Sequence, residues 1–414
     1  MKQQIKYEKL RLAAHCGIAL ALSHLFVGGA WADVSPSSDA ARLAALEKDM
    51  AQMHASQHSS PTSTGLPLHG FADVDYTRSS KADTHLNQSG RGFSVNALDF
   101  YLTPQFGDQV KSLFELNFEF DSEGGLATDI ERAQIGYTVN DQLTAWMGRF
   151  HTPIGNWNTA FHHGANIQTS VYRPRFADFE DKGGVLPSHT VGAWATGATP
   201  LANGKLTYDF YVGNGNEIQT DASNKGTTII NNSRDSNGNS MVGGNLGYKF
   251  SGRLSGLHLG LHAFNERVNI TDTVTPATVG EVTVSMSGFY GVYDQNDWEV
   301  FAEYYHFNDK NLTGASGSNS SWASFVQIGR TLGDDWTPYA RLEKATLDQR
   351  DLYFNSQVYG TSYVRQAVGV RYTVNIKTAI KLELNHTKEG DGIPLSGPGS
   401  GQFSQARFQY SILF

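Results

Sequence analysis

The residues with chemistry to offer are charged, and they recur at alternate positions. Arg132, Arg149, Arg341, Arg365, Arg371, Lys381 and Arg407 each sit in a stretch where polar and apolar side chains alternate, on the polar side. Glu115 and Glu119 do the same, as do Asp73, Asp75, Asp99, Glu343 and Glu383. If that polar side faces a water-filled lumen, the arginines form a candidate anion track. Opposed carboxylates then add a transverse field that orients dipolar solutes and tunes ion preference. Paired with one another, the same residues would be salt bridges that stiffen a wall. The spacing leaves both uses open.

A second concentration of polar chemistry lies between His151 and His189, a long insertion between two alternating stretches. Insertions of this length in compact folds are functional or disordered, and Trp157, Phe161, Tyr172, Phe176 and Phe179 argue for packing. The natural place for a packed loop in a wide barrel is inside it, as a constriction; an external lid or a contact between protomers is the alternative. Arg173, Arg175 and Lys182 stand against Asp178, Glu180 and Asp181, so the formal charge of the segment cancels. His151, His162, His163 and His189 do not read as metal ligands: adjacent histidines point apart on a strand, no cysteine helps, and these four show no HxxxH or HExxH spacing among themselves. As pore-lining imidazoles they would charge near pH ~6 and make the loop more cationic in acid. Asn385-His386 and His306 with Asn308 mark no paired nucleophile, so no catalysis and no cofactor is expected.

The elements that must carry these residues are strands. Phe114, Leu116, Phe118 and Phe120 oppose Glu115, Asn117 and Glu119; Ala133, Ile135, Tyr137 and Val139 oppose Arg132, Gln134 and Thr138. Phe408, Tyr410, Ile412 and Phe414 oppose Arg407, Gln409 and Ser411. About sixteen such segments run from Gly70 to Phe414, or eighteen if a pair is hidden. Short joins such as Asn140-Asp141-Gln142 alternate with long ones such as the segment from Asn214 to Ser240. That is the pattern of an all-β, transmembrane, up-and-down antiparallel barrel. Beyond the first residues no stretch approaches the ~20 apolar residues of a membrane helix. Only a closed barrel could then span a bilayer, and at this strand number its lumen is an aqueous channel.

The chain starts with Lys2, Lys6, Lys9 and Arg11, an apolar run from Leu12 to Val27, and Ala30-Trp31-Ala32. This predicts a signal peptide over residues 1–32, cleaved before Asp33. Cys16, the one cysteine, lies inside it. Removing four basic residues and Glu8 turns the net charge of −8 into −11, a poor match for nucleic acid. Leu43, Leu46, Met50 and Met53 then follow a heptad seam, predicting a short helix over residues 33–58. Two heptads are too short to associate alone, so a trimeric coiled coil would need help from the barrels behind it; a lone amphipathic helix is the alternative. Residues 59–69 read as a Ser, His, Thr and Pro linker, and the barrel is expected over residues 70–414.

Gly148-Arg149-Phe150-His151-Thr152-Pro153-Ile154-Gly155, followed by the aromatic loop, resembles the segment before the constriction loop of the phosphate-selective porin O/P family. The short N-terminal helix is similar to that of related trimeric porins with periplasmic coiled coils. The terminal strand through Phe408, Tyr410, Ile412 and Phe414 resembles the assembly signal of Gram-negative outer-membrane barrels. The resemblance implies a homotrimer in the cell outer membrane, contact with membrane lipid and with the barrel-assembly machinery, and passive diffusion of small hydrophilic solutes through each protomer. It does not extend to phosphate selectivity: the opposed charges point instead to a general or weakly anion-leaning pore for phosphate-like or carboxylate solutes, with a phospholipase-like barrel enzyme or an adhesin or structural barrel as the alternatives. Arg149, His151 and the loop residues Arg173 and Arg175 would then shape the eyelet.

Overall fold

The computed structural model of the protein describes residues 68–80, 90–120, 124–161, 165–180, 184–220, 225–229, 234–274, 277–314, 317–390 and 401–414. The expected leader, the heptad residues Leu43, Leu46, Met50 and Met53, and His162 and His163 lie outside the described residues. The expected linker does too, except Leu68 and His69, and His69 already opens the first strand.

Among the described residues nineteen strand segments form one sheet; setting aside the short pieces Gln105–Phe106, Glu217–Thr220 and Thr227–Thr228 leaves sixteen staves of a closed antiparallel barrel. In chain order they are β1 (His69–Ser79), β2 (Arg91–Leu102), β3 (Val110–Phe120), β4 (Leu126–Asn140), β5 (Leu143–His151), β6 (His189–Leu201), β7 (Gly204–Asn214) and β8 (Ser240–Phe250). The second half comprises β9 (Leu257–Asp272), β10 (Ala277–Gln295), β11 (Trp298–Asn311), β12 (Gly317–Arg330), β13 (Trp336–Thr346), β14 (Tyr363–Asn375), β15 (Thr378–Glu389) and β16 (Gly401–Leu413). Each pairs with its chain neighbours, and β1 closes on β16 from Phe71↔Leu413 to Ser79↔Gln405. Closure leaves no stave with an unpaired edge, the condition for a sheet to sit in hydrocarbon.

Tight turns gather at one end. Asn296 and Asp297 join β10 to β11 with φ of 55° and 65°, the left-handed pair of a two-residue hairpin turn that suits the twist of the flanking strands. The long joins gather at the other end, as the alternation of lengths requires.

Near the turn end the outer positions are apolar, as expected. Leu259, Leu261, Phe289, Leu382, Leu384, Phe408 and Tyr410 all point outward and are exposed. Toward the loop end of β9, β10 and β11 the rhythm of two continues but its sense inverts. There Asn265, Arg267, Thr283 and Ser285 face out, while Phe264, Val268, Val282, Val284, Met286 and Phe307 face in and are buried. The expectation that every stave turns an apolar flank outward and a wet flank to the lumen is therefore corrected for these strand ends. They extend beyond the apolar band, so their outer side meets water. Their inner side packs on Phe176, Ile218, Tyr353 and Phe354 of segments folded into the barrel mouth.

The closing seam is tightly packed. Gly70 N donates to Phe414 O at 3.1 Å, Phe414 N returns a bond to Gly70 O at 3.0 Å, and the Phe414 ring meets Phe100 edge-on at 5.6 Å. A Cβ on Gly70 would lie 2.3 Å from the Asp99 carbonyl and 2.5 Å from the Phe414 ring. Gly70→Val is therefore expected to destabilise closure by about 1–3 kcal/mol. A smaller fraction of compact, heat-modifiable barrel on semi-native gels would show it, and an unchanged fraction would contradict the seam's role.

Candidate constriction site

The loop between β5 and β6 leaves the wall as a continuation of the ladder. Thr152 N donates to Ser188 O at 2.9 Å, and the Thr152 and Thr190 hydroxyls share a bond of 2.7 Å. Asn158 Nδ2 donates to both Thr152 O and Ser188 O, tying the two ends together. From this neck the chain turns inward. Asn245 Nδ2 on β8 donates to Gly155 O at 2.8 Å, and on β11 one carboxylate oxygen of Glu303 accepts from Asn156 N at 3.0 Å and Trp157 N at 2.6 Å. Gly155 has φ of 63°, and a Cβ there would sit 2.1 Å from Glu303 Oε2. Glycine is needed here for both conformation and clearance. Trp157 drives the anchor home, edge-on to Phe301 and Phe325 of the wall.

The loop then follows the inner wall of β13 to β16. Arg371 donates to Asn166 O and Gln168 O, and Lys381 Nζ to Ala165 O and Ser170 O. Glu383 accepts from Val171 N and Tyr172 N, both at 3.1 Å, and from the Tyr339 hydroxyl at 2.7 Å. Arg341 donates to Tyr172 O at 2.9 Å and Arg173 O at 3.1 Å, while its other contacts are Gln327, Glu343 and Glu383. Carboxylates thus hold the loop's N–H groups and cations hold its carbonyls. An irregular segment has no ladder of its own, and these side chains supply the partners its buried backbone needs.

At the loop's inner bend the Tyr172 ring carries two guanidiniums, with Arg407 at 4.1 Å and Arg365 at 4.9 Å from its centroid. Arg407 also faces Asp75 at 3.3 Å. Such stacked cations are held by the ring's quadrupole. Arg173 is buried over Phe179 and bonded to Ala177 O and Phe161 O. Burial pulls its pKa down to about 10 against the pull of Asp178, so it stays charged near neutrality. Burial opposes charge on Arg175 too, but its ion pair with Glu389 outweighs that and holds its pKa above the ordinary value.

The remaining expected residues cluster at the neck and on the opposite wall. Arg132 is half-buried and ion-paired with Glu115; Glu119 lies further along the same inner face and accepts from Asn117 at 3.3 Å. Arg149 is buried and donates to Glu131 O. His151 lies 3.7 Å from Glu115 and edge-on to His189, which contacts Glu131 at 2.8 Å and Glu180 at 3.7 Å. Thr77, Tyr101, Glu119, Arg132 and Thr138, on inner positions of β1 to β4, keep partial exposure. The space not filled by the loop therefore runs beside them.

Arg341, Arg371 and Lys381, candidates for an anion track or for ion pairs that stiffen the wall, are engaged with the loop. Glu303 and Asn245 were not among the expected site residues. Both occupy inner positions of alternating stretches, so register alone would have flagged them; their use as anchors depends on contacts between residues about ninety and 150 positions apart. Arg341→Met leaves Glu343 and Glu383 buried without their cation, a loss of about 3–5 kcal/mol. The loop is expected to loosen, and limited trypsin digestion should then cut after Arg175, since Pro174 blocks cleavage after Arg173. Cleavage no faster than in the wild type would contradict the anchoring role.

No family model matches the chain, and no curated protein sequence matches it. Among solved structures it is similar to an anion-selective porin from Comamonas acidovorans, with a TM-score of 0.55 and 14% identity over 84% of this chain and 98% of that one. It is similar also to OmpT of Vibrio cholerae, an outer membrane protein in its trimer form, with a TM-score of 0.52 and 11% identity over 84% and 98%. The outer membrane channel DcaP of Acinetobacter baumannii gives 0.51 and 10% over 84% and 96%. At these identities the likeness establishes the sixteen-stranded antiparallel barrel fold.

Proposed function

We propose that this protein is an outer-membrane porin through which small hydrophilic solutes diffuse passively. One observation carries the reading: a long loop is fastened inside a closed barrel against one wall, and the other wall keeps charged and polar side chains in contact with water. A loop fixed in this way narrows a channel without filling it. The apolar outer band fits contact with membrane lipid. Structurally similar barrels that are described as an anion-selective porin, an outer membrane channel and a trimer support the same reading.

The finer parts belong to it. The leader over residues 1–32 would export the chain, the strand ending in Phe408, Tyr410, Ile412 and Phe414 would meet the barrel-assembly machinery, and the heptad through Leu43, Leu46, Met50 and Met53 would join three copies. Cations stacked on Tyr172 would lean the eyelet toward anions. The pore-lining set is then Arg132, Glu115, Glu119, Arg365 and Arg407, with Arg149, His151, Arg173 and Arg175 holding the loop that forms the opposite rim.

Purified protein in planar bilayers is expected to give stepwise conductance. Glu303→Leu together with Arg341→Met, which frees both the start and the middle of the loop, should raise the unit conductance by roughly twofold or more, because the loop is the narrowest element of the path. Absence of any conductance from correctly folded protein would sink the porin reading. A double variant conducting like the wild type would remove the loop from the constriction.

A further inference from the structure

We propose that the inner wall behind Tyr172 is a binding site for a small oxyanion that also carries a hydroxyl, formed by Arg365, Thr387, Asn385 and the Tyr172 hydroxyl. This deepens the porin reading and rests on it, since the site lies on the inner wall that reading describes. The observation is a set of polar atoms with nothing to bond. Nε of Arg365, Oγ1 of Thr387, both amide atoms of Asn385 and the hydroxyl of Tyr172 are all enclosed and have no hydrogen-bond partner among the described residues. Arg365 is 5% exposed, Asn385 4% and Thr387 0%. Buried polar groups are nearly always satisfied, and several unmet ones together point to a missing partner.

These atoms share one place. Arg365 on β14 is the direct cross-strand partner of Thr387 on β15, and Asn385 is the next inner residue along β15, opposite Ala367. Tyr172 reaches the same patch from the loop, with its ring against the Arg365 guanidinium. The charge of Arg365 is also uncommitted among the described residues. Its neighbour across the ladder is Glu343, but that carboxylate is taken by Arg341 Nε at 2.8 Å, Arg175 N at 2.7 Å and the Tyr363 hydroxyl at 3.3 Å. Glu389 is paired with Arg175, and Asp75 faces Arg407.

The atom types define the visitor. A guanidinium offers a planar fork that fits two oxygens of a carboxylate or phosphate. The hydroxyls of Thr387 and Tyr172 can add donors to those oxygens. Asn385 has both its amide nitrogen and its carbonyl oxygen unmet, so a ligand that only accepts leaves one of them unsatisfied. A hydroxycarboxylate, or a phosphate that keeps one proton, satisfies both; chloride and acetate do not. The Tyr172 ring stacks on the face of the Arg365 guanidinium at 4.9 Å, so an oxyanion meets the fork at its edge, where Nε is unmet.

The test uses full-length purified protein in planar bilayers carrying chloride current, with lactate, inorganic phosphate or acetate added at constant ionic strength. Lactate or phosphate is expected to reduce the current saturably; which of the two does so identifies the source of the oxyanion. Acetate should need roughly fivefold more for the same reduction. Arg365→Gln should weaken the effect at least about tenfold, Arg365→Lys by less because the charge remains without the fork. Arg267→Gln, on the exposed outer face, should leave it unchanged. Calorimetry with lactate and phosphate on the detergent-solubilised protein reads the same site without conduction. No saturable effect and no heat from either anion, or an equal effect in Arg365→Gln, overturns the site. Acetate acting as strongly as lactate removes the role given to Asn385. Binding heat lost in Arg365→Gln, with no conductance from any sample, keeps the site and sinks the porin reading instead.

Discussion

A polar group taken from water must find a partner, and that constraint shapes this protein at two scales. Across the wall it forces the sheet to close, because an open edge in hydrocarbon leaves a row of unmet N–H and C=O groups. Inside the wall it decides where the long loop can lie. A loop brings no ladder of its own, and this one rests where Glu303, Glu383, Arg341, Arg371 and Lys381 present the complementary charge to its backbone. Hydrogen bonds to ionised partners are stronger than neutral ones, and the low dielectric of the filled half strengthens them further. Removing either member of such a pair leaves the other stranded, so the loop and its wall hold each other in place.

Much of the barrel could be read from the chain because a strand writes its orientation into every second residue. Phe408, Tyr410, Ile412 and Phe414 face outward and Arg407, Gln409 and Ser411 inward, as their spacing predicts. The same rule put Arg132, Arg341, Arg365, Lys381 and Glu383 on the inner side. What alternation cannot tell is what meets the inner side. Arg341 and Arg365 belong to neighbouring strands with the same periodicity, yet one is bonded to two loop carbonyls and the other stacks on Tyr172 with its Nε unmet. That difference is set by where the loop bends, a matter of contacts between residues about 170 positions apart.

The inverted ends of β9 to β11 show a second limit. Period alone does not say which flank is wet, because the answer changes with height along the same strand. Val282, Val284 and Met286 alternate with Thr283 and Ser285 just as a lipid-facing stretch would. Here the apolar residues point inward to meet Phe354, Tyr353 and Ile218, and the hydroxyls point out. The sense of the alternation follows the medium on each side, so a reversal of polarity along one continuous strand marks where the apolar band stops.

This reversal bears on how an unevenly filled barrel stays rigid. On one side of the lumen the apolar inner ends of β9 to β12 and the enclosed loop form a packed, dry core; on the other, β1 to β4 present partly exposed polar side chains. A loop held only by surface ion pairs would be loosened by salt, since exposed pairs contribute little and are screened. Burying Trp157, Phe176, Val185 and Leu186 in the same core places the ion pairs where screening is weak. The hydrophobic packing thus keeps the charged anchors strong, and the anchors fix which loop residues turn toward the open side. Tyr172, with Arg365 and Arg407 against its ring, is positioned at that boundary between dry and wet halves. Groups there are held in place by the packing behind them, so their geometry is set before any solute arrives.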